Sequence, residues 1–106
     1  MEYKKLVRDR IPQIIAEQGG ICQTRILSEE EYRVSLEAKL DEEVAEYHRD
    51  QNLQELADIL EVLFALAAAN GYNREDLMSA YEDKHMERGG FEKRIFLISS
   101  HHAEEK

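Results

Sequence analysis

Residues 53–67 constrain this chain most. Leu53, Leu56, Ala57, Ile59, Leu60, Val62, Leu63, Phe64, Ala65, Leu66 and Ala67 leave almost no polar face on a helix. Such a helix is buried on most of its sides. A chain of 106 residues and 12.4 kDa forms one domain and supplies few neighbours to do the covering. Dimerisation through this helix is the simplest solution. Yet Asp58 and Glu61 stand within it. An ionised carboxylate among apolar neighbours is strongly unfavourable unless it is paired, protonated or bound to a cation.

The flanking sequence places this helix in an all-α layout. Ser28 opens a long helix, with Glu31 positioned to complete a capping box. Tyr32, Leu36, Leu40, Val44 and Tyr47 recur every three or four residues as its apolar stripe, and the helix is expected to end near Arg49. Asn52 with Glu55 caps the apolar helix, which runs to Asn70 with Gly71 as its stop. A further helix spans Asn73 to about Arg88, before Gly89-Gly90. A short helix lies between Pro12 and Gly19. Residues 21–27 read as extended or loop, and 91–97 as a short strand or loop. One domain over 1–98 with a frayed tail at 99–106 completes the expectation.

A reversal at Asp50-Gln51 would lay the two long helices antiparallel, so that residues whose numbers sum to about 101 face each other. Glu46 then meets Glu55, Glu43 meets Asp58, and Leu40 meets Glu61. Bare, these carboxylates would repel one another. A hard divalent cation would supply the missing charge, and an all-oxygen donor set suits Mg²⁺ or Mn²⁺ better than Zn²⁺. A solvated acidic face accounts well for Glu29, Glu30, Glu37 and Asp41, and poorly for Asp58 and Glu61. A di-iron bundle needs Glu-x-x-His on two helices, and only Glu82 to His85 fits that spacing.

Charge narrows the function classes. There are 23 acidic and 14 basic residues, a net charge of -9, which argues against binding a nucleic-acid polymer or an anionic membrane. Residues 29–61 contain 12 acidic and 3 basic residues, so the whole excess falls on the two long helices. The single cysteine, Cys22, permits neither an intramolecular disulfide nor a thiolate zinc site within one chain. The charged N-terminus has no apolar signal-peptide core. The longest apolar run, Val62–Ala69, is far short of the ~20 residues that span a bilayer. A cytoplasmic protein is expected.

Glu42-Glu43-x-x-Glu46 followed by Glu55-x-x-Asp58 and Ile59-Leu-Glu61 resembles the signature of the MazG-like, all-α nucleoside triphosphate pyrophosphohydrolases. The opening Tyr3 to Pro12 and the closing Lys84-x-x-x-Arg88-Gly-Gly-Phe91 look like a small subfamily labelled phosphoribosyl-ATP pyrophosphohydrolase-like. The likeness runs from residue 3 to about 97. It implies that Glu43, Glu46, Glu55 and Asp58 ligate Mg²⁺, with Mn²⁺ as a substitute, and that Glu42 or Glu43 helps activate the attacking water. The implied reaction cleaves the α–β phosphoanhydride of a nucleotide to a monophosphate and pyrophosphate, in a homodimer or homotetramer. Arg8, Lys84, Arg88, Lys93 and Arg94 are the cations available to meet phosphate. Phosphoribosyl-ATP hydrolysis in histidine biosynthesis and a non-catalytic helical interaction module are the alternatives. Eight residues separate Glu46 from Glu55, fewer than is usual in that family, which leaves little room for a base-recognition insert.

Overall fold

The computed structural model describes residues 4–102. Tyr3 of the opening segment and residues 103–106 of the expected tail lie outside the described residues. Four helices follow one another: α1 (Ile11–Glu17), α2 (Glu29–Asp50), α3 (Leu53–Ala69) and α4 (Arg74–Arg88). Among the described residues there is no strand. Residues 21–27 and 95–102 are irregular, and 91–93 form a bend and turn.

Local chemistry explains each helix boundary. The Ser28 hydroxyl accepts from the Glu31 amide at 3.2 Å while the Glu31 carboxylate accepts from the Ser28 amide at 3.0 Å. Hydrogen bonds from Arg25 and from Ser28 hold the Glu31 pKa down at about 2. Asn52 caps α3 through the Glu55 amide at 3.0 Å, and Asn73 and Asp76 form a second capping box on α4. Gly71, with φ of 89°, ends the α3 turn in a conformation that suits glycine.

Only Gln51 and Asn52 separate α2 from α3. Gln51 takes the left-handed conformation at φ 47° and its amide reaches back to the Tyr47 carbonyl at 2.7 Å. A non-glycine residue there costs on the order of 1 kcal/mol, offset by the hairpin that the turn closes.

The hairpin is the core of the molecule. Leu36 of α2 and Val62 of α3 are its most buried apolar residues, at 2% and 6% exposure. Each such burial contributes roughly 1.5–3 kcal/mol. α3 is also packed by α4, where the Arg74 guanidinium lies 4.0 Å from the centre of the Phe64 ring.

The cover expected around α3 is missing within one chain. Leu53, Leu56, Leu60 and Leu63 are 74%, 46%, 45% and 38% exposed, and among the described residues α2 and α4 are the helices that pack on α3. Asp58 and Glu61 are likewise not sealed from water: their side chains keep 37% and 58% of their exposure. The radius of gyration is 19.5 Å, against about 13 Å for a compact domain of this length. Among the described residues no helix is long and apolar enough to cross a membrane.

Candidate metal centre

The two-residue turn sets the register of the hairpin, and the register gathers the carboxylates. Glu43 on α2 and Glu55 and Asp58 on α3 each bring one oxygen to within 4.8 Å of the others. Glu55 and Asp58 are three residues apart, about 4.5 Å along one face of α3. Glu46 lies one turn beyond Glu43 and is outside this group, but its carboxyl is close enough to act on Glu43.

Glu43 is the most constrained member, with 6% of its surface exposed. Burial pushes its carboxyl above the ordinary carboxylate range, with neighbouring Glu46 adding to the rise and Lys39 opposing it. Lys39 Nζ lies 3.2 Å from Glu43 Oε1. The other oxygen, Oε2, is buried and has no hydrogen-bond donor, and the same holds for Glu55 Oε2. Two buried carboxylate oxygens without donors are costly to fold around, and a hard cation satisfies oxygens of this kind.

Glu42 has a different setting. Burial alone would raise its pKa, but Lys5 and Lys39 outweigh this and hold it below the usual range. Lys5 Nζ donates to Oε1 and Lys39 Nζ to Oε2, each at 3.3 Å. Glu42 is therefore ionised, and both of its oxygens are occupied.

Arg8 is drawn to the same place. Its Nη2 donates to Asp58 Oδ1 at 2.7 Å, and its Nη1 lies 3.9 Å from Glu61 Oε1. The remaining candidate cations are elsewhere. Lys84 is exposed on α4, while Arg88, Lys93 and Arg94 border a shallow open groove with His85 and Phe91 at the end of that helix. Among the described residues α4 packs on α3 alone and begins beyond its C-terminal end. Glu55 and Asp58 occupy the first two turns of α3, about 20 Å away along the helix axis. Among the described residues none of these four cations forms an ion pair with the carboxylates.

Two participants escaped the sequence reading. Lys39 had a usable signal, because it stands three residues before Glu42 and four before Glu43 on one helix. Lys5 had none, since its contact depends on the path of the segment before α1.

No family model matches the chain, and no solved structure does. A 42-residue stretch is 57% identical to an uncharacterized protein of Mycolicibacterium smegmatis (strain ATCC 700084 / mc(2)155), covering 40% of this chain. The match spans 43% of that protein, less than half of its length.

Proposed function

We propose that the chain is a Mg²⁺-dependent nucleotide pyrophosphohydrolase of the MazG-like kind, acting in the cytoplasm on single nucleotides. The observation that supports this most is the pair of buried oxygens without donors, Glu43 Oε2 and Glu55 Oε2, beside Asp58. A solvated acidic face does not bury carboxylate oxygens.

Glu43, Glu55 and Asp58 would hold the ion, with Glu46 reaching it through a shift of its flexible side chain. Mg²⁺ held by these residues would supply Lewis-acid chemistry, favouring attack on a phosphate group and lowering the pKa of a water. The chain's own residues then have separate tasks. Lys39 fixes the orientation of Glu43 by holding Oε1 and so directs Oε2 inward. Glu42, kept ionised by Lys5 and Lys39, is the anion nearest to Glu43 in sequence that could accept the proton of an attacking water once one of those contacts loosens. Arg8 is the cation nearest to the carboxylates that can meet a phosphate oxygen.

The assembly is proposed to be a homodimer or homotetramer. Leu53, Leu56, Leu60 and Leu63 form a 3-4-3 stripe of the kind that pairs helices, and it is exposed in one chain. A second copy could also bring Lys84, Arg88, Lys93 and Arg94 toward carboxylates that their own chain does not place beside them.

A panel of canonical and modified triphosphates, together with phosphoribosyl-ATP, tests the activity. The expected products are a monophosphate and pyrophosphate, formed only with Mg²⁺ or Mn²⁺. Glu43→Gln and Asp58→Asn should each lower the rate by at least about a hundredfold. Turnover of phosphoribosyl-ATP alone would move the assignment to histidine biosynthesis. No turnover of any substrate would favour a non-catalytic helical module.

A further inference from the structure

Around the carboxylate cluster, charge is only partly balanced. Glu42, Glu43, Glu46, Glu55, Asp58 and Glu61 bring six carboxyl groups together. Among the described residues Lys5, Arg8 and Lys39 pair with them, while Arg49 acts on Glu46 and Glu55 from a greater distance. These cations are held differently. Lys39 belongs to α2 and its side chain is only 16% exposed, so it is fixed in the hairpin. Arg8 comes from the non-helical segment before α1, and its side chain is 52% exposed. Its backbone carbonyl accepts from the Ile11 amide at 3.1 Å, so the backbone is tied to the start of α1 while the half-exposed guanidinium is held by its carboxylate partners.

Arg8 also occupies a position of consequence. It holds Asp58, one of the three residues whose oxygens converge, and it reaches Glu61 one turn further along α3. A guanidinium and a divalent cation cannot both take full advantage of the same carboxylate, because each repels the other at close range. A triphosphate reverses the situation, since it brings negative charge to the guanidinium and accepts its fork of donors.

We propose that Arg8 is the exchangeable counter-ion of this site: it pairs with Asp58 in the ion-free chain, yields that carboxylate to a divalent cation, and turns its guanidinium to the phosphate that the cation brings. The proposal rests on the metal-dependent reading given above and assigns Arg8 an order of events within it. Arg8 is thereby a positioning residue for metal as well as a phosphate contact, and the two roles respond oppositely to its removal.

Two titrations on the full chain test this, using Mn²⁺ alone followed by electron paramagnetic resonance, and Mg²⁺ with inorganic tripolyphosphate followed by calorimetry. Arg8→Gln should bind Mn²⁺ about two- to fivefold more tightly than the wild type, the scale of an exposed ion pair released. It should bind Mg²⁺–tripolyphosphate at least about tenfold more weakly. Arg8→Lys, which keeps the charge and loses the fork, should fall between the two on both measurements. A variant with a damaged fold would weaken both, so the opposite signs are diagnostic. If the wild type binds Mn²⁺ and Arg8→Gln binds it no more tightly, the exchange is wrong while the metal site stands. If tripolyphosphate binding is unchanged in Arg8→Gln, the phosphate role is wrong. A wild type that binds no Mn²⁺ overturns the metal reading and the exchange together.

Discussion

Glu43 places a carboxyl group at a position that is 6% exposed, with one oxygen held by Lys39 and the other without a donor. A side chain selected for the stability of the ion-free hairpin would have no reason to be ionisable here, since burial disfavours its charged form. Glutamine has the same shape without that penalty. Glu43→Gln is therefore expected to raise the melting temperature measured in chelator by about 3–6 °C. The same variant should lose the further rise that the wild type gains from millimolar Mg²⁺. Thermal unfolding with and without chelator checks both halves. A lower melting temperature in chelator would mean that the Lys39 contact outweighs the burial cost and that Glu43 serves stability.

At the level of elements, the exposed stripe of α3 makes the clearest claim. Leu53, Leu56, Leu60 and Leu63 would leave a continuous apolar seam in water if the chain stayed alone. Leu60→Lys should convert an oligomer to a monomer in sedimentation, with α2 and α3 retaining their helicity. A wild type that sediments as a monomer would remove the argument for pairing through this face. The helices themselves were legible in the sequence because their ends are local chemistry. Ser28, Asn52 and Asn73 each cap from within four residues, and Gly71 stops α3 within its own turn. The opposition of Glu43 to Asp58 followed from the short turn, which leaves a helical pair few registers to adopt. The summed register set Glu46 against Glu55, whereas the structure gathers Glu43 with Glu55 instead. Two other features were out of reach. Apolar residues on every side of α3 specify that it wants cover, and carry no information on whether the same chain provides it. The contacts of Lys5 and Arg8 with Glu42 and Asp58 span 37 and 50 residues, and depend on the course of a segment with no periodicity to read.

For the whole molecule, the charge excess of residues 29–61 and the extended shape have a common basis. The hairpin concentrates carboxylates that need a cation, and it exposes an apolar face that needs a neighbour. The described residues meet neither need themselves, and Lys84, Arg88, Lys93 and Arg94 form no ion pair with these carboxylates. Ion binding at Glu43, Glu55 and Asp58 is the central claim, because the reaction class, the role of Arg8 and the use of buried acid groups all depend on it. Calorimetric titration of the metal-free protein with Mn²⁺ tests it most directly, with Glu43→Gln and Asp58→Asn titrated in parallel. Saturable binding by the wild type that weakens at least about tenfold in each variant is the expected result. Binding that is absent from the wild type, or unchanged in both variants, would contradict it.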